Sequence, residues 1–365
     1  MNTKISEKQI NKTADKASVK TVDKPIIPGP TYFVILAVTV ILLLSFTVAF
    51  FAVFANQSGE SSSNDIEDEP PKNNSIGSVP NQTVPKKSNY ISKSASGVQL
   101  IGDQVNSENV ILVDIDKNES IAEKGADERI YPASMTKVMS LLVACENVKN
   151  LNKTLTVEQK TINYAYEMDG SLYGVERGDV LTVKDLLYLT SYYSDTVAVI
   201  MLAEHVAGSE AEFVKLMNKK AKAIGLKNTN FDNCTGLHSD NNYTTCREMA
   251  AIFAYALENS LCKEILTNTQ PYRFTVSSLG KCTIWSPSWY SQRVANKPNL
   301  ETVTVKGGKT GYIEESGYCL VSFAEGKSGR RYVQVVTGDK ITVVDQKNKI
   351  WYGNDVKFVY NTYAN

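Results

Sequence analysis

Residues 31 to 55 form one apolar run, TYFVILAVTVILLLSFTVAFFAVFA, with no charged side chain in it. It is long enough to cross a bilayer with some tilt. It also exceeds the apolar stretch of about 7–15 residues found in a cleaved signal peptide. The run therefore divides the chain, and any globular domain must form on one side of it. Lys4, Lys8, Lys12, Lys16, Lys20 and Lys24 precede it, against Glu7, Asp15 and Asp23. Glu60, Asp65, Glu67, Asp68 and Glu69 follow it. Basic residues mark the cytoplasmic side of a span. The pattern predicts a cytoplasmic Lys-rich tail over 1–30, a transmembrane helix over 31–56, and everything later outside a cell membrane crossed once. The lysines recur every fourth residue, which reads as a solvated tail that sets topology.

Residues 57–97 are rich in Ser, Asn, Pro and Lys, with almost no apolar periodicity. Such a segment buries too little surface to offset its ordering entropy, so a disordered tether is expected there. A folded domain is expected over 98–365. Beyond the first thirty residues the chain carries a net charge of −3. That balance gives no electrostatic footprint for nucleic acid. Six cysteines (Cys145, Cys234, Cys246, Cys262, Cys282 and Cys319) fall on the outer side, where disulfides are permitted. No Cys-x-x-Cys occurs, and sequence does not choose among the possible pairings. Cys145 and Cys319 sit in apolar runs and are expected as buried thiols.

Asn109 to Asp116 alternates and is β-branched, as a strand would be. Ser134 to Val148 places Val138, Leu141, Leu142 and Cys145 at helical spacing. Val183 to Tyr192, Thr196 to Val206, a segment starting at Ser209, and Thr245 to Asn259 read as further helices. Strands are expected at Tyr272–Val276, Gly317–Ala324 and Arg331–Gly338. A last helix is expected from Asp355 to Tyr363, with Val356, Phe358, Val359 and Tyr363 apolar. Strands at both ends with helices between predict an α+β fold, an antiparallel sheet closed by the two terminal segments.

Three short strings carry the chemistry: Ser134-Met135-Thr136-Lys137, Ser194-Asp195-Thr196 and Lys309-Thr310-Gly311. A free serine hydroxyl is a poor nucleophile and needs a base beside it. Pro132-Ala133 precedes a helical pattern, so Ser134 sits at or near a helix N-terminus, where exposed N–H groups favour a developing oxyanion. Lys137 lies one turn on, on the same face. Burial and a second nearby cation lower a lysine's pKa until it accepts a proton. Ser278-Leu279-Gly280-Lys281 has the same spacing but lies between strand-like runs and contains glycine, so it reads as a hairpin turn. Lys309 and Thr310 are expected on or beside a strand, where ammonium and hydroxyl bind a carboxylate. Gly311 lets a substrate lie close to that strand. His205 and His238 are the only histidines and no His-Glu-x-x-His occurs, so neither metal nor cofactor is expected. A Ser-His-Asp triad through His238 has no supporting motif.

The ordered set of strings resembles the serine D-alanyl-D-alanine carboxypeptidases, the low-molecular-mass penicillin-binding proteins. The likeness extends to Ile130–Leu141, Leu202–Lys219, Phe231–Ser239, Tyr243–Ala250 and Gly307–Ser322. It implies a β-lactamase/penicillin-binding-protein-like fold, an antiparallel sheet flanked by helices plus a helical subdomain. It also implies an acyl-enzyme cycle on peptidoglycan stem peptides ending in D-Ala-D-Ala, with β-lactams as covalent inhibitors. By the same likeness Ser134 is the nucleophile and Lys137 its base, while Ser194 relays protons. Lys309 and Thr310 hold the terminal carboxylate, Gly311 lies under the substrate, and the backbone N–H groups of Ser134 and Tyr312 form the oxyanion hole.

Two departures stand out. The family's middle string usually ends in Asn, and this chain has Thr196, assigned by the ten residues that separate Ser194 from Glu204. One hydroxyl replaces an amide, so activity or penicillin affinity is expected to fall. About 27 residues follow Gly338, too few for the β-rich domain and amphipathic helix that some members append. A β-lactamase is the first rival reading, but the string Glu-x-x-Leu-Asn is missing and Glu264 to Asn268 is only a partial echo. A D,D-endopeptidase and a non-catalytic wall-peptide or β-lactam binder complete the alternatives.

Overall fold

The structure is a computed structural model that describes residues 89–286, 300–339 and 351–364. The expected tail, transmembrane helix and most of the tether lie outside the described residues. Among the described residues no helix is long and apolar enough to cross a membrane.

One six-stranded sheet organises the domain. Its strands are β1 (Lys93–Leu100), β2 (Asn109–Asp114), β3 (Glu119–Lys124), β8 (Val303–Ile313), β9 (Gly317–Gly326) and β10 (Arg331–Asp339), in the order β1-β3-β2-β10-β9-β8. All neighbours are antiparallel except β1 and β3. β2 is buried at all six positions, because both sheet faces are covered. Ile111 and Val113 join Val333, Val335, Val321 and Phe323 under the helices. Val110 and Leu112 point the other way and meet Leu320, Val336 and Tyr332.

The second face is covered by the C-terminal helix, Trp351–Tyr363. Val356 and Val359 are buried as expected, but Phe358 and Tyr363 only flank the core. Tyr360, one helical turn beyond Val356, and Ala364, bonded through its amide to the Tyr360 carbonyl, complete the buried stripe. The Tyr360 hydroxyl is hydrogen-bonded to Ser322 Oγ at 3.0 Å, which anchors the last turn to β9.

Helices fill the other face. α1 (Lys137–Asn147) runs through the centre of the larger core and is flanked by α4 (Thr196–Ala207), α5 (Glu210–Ala223), α6 (Cys246–Ala256) and α7 (Ser260–Thr267), with α2 (Gln159–Glu167) packed on α4. Their starts are capped by side chains as the sequence favours: Asp195 on Ala198, Ser209 on Glu212, Thr245 on Glu248 and Asn259 on Cys262. Asn259 therefore starts a new helix instead of ending the one expected to run from Thr245. Two small antiparallel pairs stand apart from the six-stranded sheet: β4 (Thr154–Thr156) with β5 (Val180–Thr182), and a hairpin of β6 (Tyr272–Val276) with β7 (Gly280–Ile284) that turns at Ser278, so the second Ser-x-x-Lys is a hairpin turn as expected. Ser278 donates from its amide and hydroxyl to Asp179, at 2.9 and 2.5 Å.

Two further expectations need correction. Ordered structure begins before Val98: Tyr90 is buried and β1 starts at Lys93. β1 is an edge strand whose side chains mostly stay in water, so it shows no apolar alternation. The helix expected over 183–192 is also broken. An α-helix, α3 (Val183–Tyr188), passes into a π-helical turn at Leu189–Tyr193 and ends at Ser194, which is left-handed at φ 60°. All six cysteines are buried free thiols, Cys145 and Cys319 included.

Candidate active site

The first string does not enter the helix directly. Ala133–Thr136 forms a 3₁₀ turn that leads into α1, and Ala133 holds a positive φ of 47°. Two glycines close on that strained turn. Gly236 lies so close that a Cβ there would stand 1.9 Å from the Ala133 carbonyl oxygen, at a φ of +81° that L side chains rarely adopt. Gly311 of β8 also closes on the turn, where a Cβ would stand 3.0 Å from the Ser134 amide nitrogen. Glycine at both positions lets two backbones close on the turn that carries Ser134.

Lys137 then faces Ser134 one turn along. Its Nζ lies 3.1 Å from Ser134 Oγ and donates to the Thr235 carbonyl at 2.6 Å. The side chain is 1 % exposed. Burial penalises its charged form and pulls the pKa down to about 8, against smaller opposing contributions from Cys234 and Asp195. With one N–H committed to Thr235, the neutral amine has its lone pair free for the Ser134 proton.

The second pair mirrors the first. Lys309 Nζ of β8 donates to Ser194 Oγ at 3.1 Å and to the Thr310 carbonyl at 2.8 Å. It too is 1 % exposed, and burial followed by the nearby Lys137 charge holds its pKa well below the usual lysine value. Two amines in one dry pocket cannot both carry a full charge at low cost. Ser194 reaches Lys309 because the π-helical turn adds a residue and leaves Ser194 left-handed, with its amide bonded to the Leu189 carbonyl. π-turns of this kind are frequent at functional sites.

The three strings line one cleft of about 730 Å³, into which Ser134, Lys137, Ser194, Thr196, Thr310, Gly311 and Tyr312 all open. Lys309 reaches it through Ser194. Thr196 is fully buried, and its Oγ1 has no hydrogen-bond partner. Tyr312 and Tyr193 form exposed aromatic lips, 56 % and 45 % accessible. The far end holds Asp169, His238, Glu314 and Glu315. His238 stands 3.6 Å from Glu315 and 3.8 Å from Asp240, and has no hydrogen bond to Ser134. Glu264 lies elsewhere, accepting from the Tyr188 hydroxyl at 3.0 Å, so the partial echo of a deacylating string does not line the cleft.

A sequence profile of the D-alanyl-D-alanine carboxypeptidases (peptidase S11) matches residues 94–341, about two thirds of the chain. The chain belongs to the D-alanyl-D-alanine carboxypeptidase family. Among curated members it is 34% identical over 228 residues to D-alanyl-D-alanine carboxypeptidase DacF of Bacillus subtilis, covering 62% of this chain and 56% of that one. It is 30% identical over 242 residues to DacA of Haemophilus influenzae, covering 64% and 58%. The chain thus spans under three fifths of the length of these relatives. The D-alanyl-D-alanine carboxypeptidase of Mycobacterium tuberculosis superposes with a TM-score of 0.61 at 22% identity, over 74% of this chain and 95% of that one. The fold is therefore penicillin-binding-protein-like and α+β.

Sequence reasoning missed several residues that shape this family site. Asp195 looks like part of a catalytic string but is fully buried and structural. Its Oδ1 accepts from the Ala198 amide at 2.6 Å and its Oδ2 from the Tyr173 amide at 2.7 Å, pinning α4 to the 171–173 segment. Burial raises its pKa, opposed by those amides and by Lys137. Thr235 is 98 residues from Lys137, so no local pattern announces it. Asn242 is as distant: its side-chain amide donates to Thr136 Oγ1 at 3.1 Å and steadies the nucleophile turn. The Gly-Leu-His string was visible at 236–238, but not the reason Gly236 must be glycine.

Proposed function

We propose that the chain is a serine D-Ala-D-Ala carboxypeptidase that removes the terminal D-alanine of peptidoglycan stem pentapeptides. The observation that carries this reading is the pair of lysine–serine hydrogen bonds, Lys137 to Ser134 and Lys309 to Ser194, facing one cleft. Neutral Lys137 takes the Ser134 proton, and Oγ attacks the carbonyl carbon of the penultimate D-alanine. The oxyanion accepts hydrogen bonds from the Ser134 and Tyr312 amides, one such donor being worth about 3–4 kcal/mol in rate. Lys137 gives that proton, passed through the Ser194 hydroxyl, to the departing amine, so free D-alanine leaves and Lys137 is neutral again. Water, deprotonated by Lys137, then splits the Ser134 ester.

Thr310 and Lys309 bind the terminal carboxylate. An arriving carboxylate restores the charge that burial removes from Lys309, so substrate and proton bind together. Thr196 stands where the usual amide would, but its hydroxyl is buried against Gly170, so it offers the substrate fewer hydrogen bonds. Incubating the full chain with a peptide ending in D-Ala-D-Ala is expected to release D-alanine. A penicillin is expected to leave a long-lived adduct, since Glu264 is bonded to Tyr188 away from the cleft. Rapid turnover of a chromogenic cephalosporin would favour a β-lactamase, and peptide binding with no acyl adduct a binding protein.

The same proposal includes residues 31–56 as an uncleaved membrane anchor, on the strength of the apolar run and its flanking charges. The chain is then expected to stay with the membrane fraction through an alkaline carbonate wash. Release into the supernatant would remove the anchor from the proposal.

A further inference from the structure

We propose that Asn233 is a positioning residue for the reaction: it folds the 233–237 loop so that the Thr235 carbonyl holds the Lys137 amine with its lone pair toward Ser134. The proposal rests on the carboxypeptidase reading above, in which Lys137 is the base. A neutral amine accepts a proton only along its lone pair, so its orientation matters as much as its distance. Rotation about the last bond of the side chain can turn an N–H toward Ser134 Oγ instead, and the hydroxyl proton then has no acceptor. The Thr235 carbonyl, at 2.6 Å, takes one N–H and so selects the productive rotation. The direction of that carbonyl is therefore part of the chemistry.

One side-chain oxygen sets it. Asn233 Oδ1 accepts from the Thr235 amide at 3.2 Å, from the Thr235 hydroxyl at 3.1 Å and from the Gly236 amide at 2.7 Å. Its Nδ2 donates to the Leu237 carbonyl at 3.0 Å and closes the loop on itself. The bond to Gly236 is the decisive one. A trans peptide is planar, and its carbonyl points opposite to its N–H. With the Gly236 N–H drawn in toward Asn233, the Thr235 carbonyl of the same peptide must face outward, and there it meets Lys137 Nζ. Asn233 itself is buried and does not line the cleft, so it acts only through this loop.

The loop is tied to the helix that carries the base. Ser140, on the next turn of α1 after Lys137, donates from its hydroxyl to the Cys234 carbonyl at 2.6 Å. The Cys234 amide donates to Glu210 Oε1 at 3.0 Å, at the start of α5. These bonds fix where the loop sits, and Asn233 fixes how its peptides turn. The same turn of the loop sets Gly236 against the Ala133 carbonyl, so base and nucleophile share one support. Without Asn233 Oδ1, three buried donors lose their acceptor, and the loop must rearrange to find others.

The test follows acylation by a penicillin on the full chain in detergent, at a pH above the Lys137 pKa of about 8. It reads the acylation rate constant and the affinity of the non-covalent complex separately. Asn233→Ala is expected to acylate about 100-fold more slowly, the effect of moving a reacting group by about 1 Å. Its affinity should stay within about threefold of wild type, since Lys309 and Thr310 are untouched. Asn233→Asp offers an oxygen to the same three donors and is expected to bring the rate back to within about tenfold of wild type. A merely structural role would lower the melting temperature without this split between rate and affinity. Should Asn233→Ala fail to fold, Asn233→Ser, which keeps one shorter acceptor, takes its place under the same criteria. An alanine variant as fast as wild type, one that loses affinity as much as rate, or an aspartate variant no faster than alanine overturns the positioning role and leaves the carboxypeptidase reading standing. No adduct on the wild-type chain overturns that reading, and the role of Asn233 with it.

Discussion

Replacing Ser134 by alanine is expected to cut D-alanine release by about 10⁴-fold or more and to abolish the penicillin adduct. The size follows from what the substitution removes. Ser134 Oγ forms the bond that splits one slow hydrolysis into two faster steps, and no neighbouring group replaces it. Ser171 and Ser194 also line the cleft, but both stand on other elements without the Ser134 amide behind them, and Ser194 is paired with Lys309. His238 does not rescue the reaction, since its partners are Glu315 and Asp240. The variant should keep its fold, because among the described residues Ser134 Oγ has one hydrogen bond, to Lys137. Intact-mass measurement after penicillin treatment and a melting curve separate the outcomes. An adduct that persists in a folded Ser134→Ala chain would move the nucleophile elsewhere and undo the proposed mechanism.

The three strings were legible in sequence because each is short and sits where local structure exposes it. Ser-x-x-Lys needs only one helical turn to bring its two side chains together, and Lys-Thr-Gly needs only a strand. What closes the site is non-local. Lys309 and Ser194 are 115 residues apart, and their contact depends on a π-helical turn that sequence reading took for continuous helix. The apolar pattern through Val183–Tyr192 looks the same for α and π turns, since inserting one residue shifts only the last side chains. β2 and β10 could be read from their apolar runs because both faces of the sheet are covered. β1 could not, since an edge strand in water needs no alternation. The Tyr360 contact illustrates the same limit: the helix was expected, but which of its aromatic residues turned inward was decided by Ser322 on a distant strand.

Lys137 gives the site its pH dependence, and the sign can be worked out. Its pKa is down to about 8 because burial disfavours the ammonium. The reaction uses the neutral amine, so acylation by a penicillin should rise about tenfold per unit as pH climbs toward 8, then level off. Lys137→Met removes the base and is expected to slow acylation by about 10³-fold, at the same time erasing that rise. Stability should move in the opposite sense. A lysine normally titrating near 10.5 that falls to about 8 on folding costs on the order of 3 kcal/mol wherever both states are protonated, that is, below about pH 8. The cost fades as pH rises from about 8 to 10.5, because the folded amine is then neutral while the unfolded one is still charged. Methionine fills nearly the same space with no charge to bury, so Lys137→Met should melt no lower than wild type at neutral pH while losing nearly all acylation. Lysine at this buried position is thus held against the preference of the fold, for the proton it accepts from Ser134. A flat acylation profile between pH 6 and 9 in wild type, or a Lys137→Met chain that acylates normally, would remove Lys137 as the base.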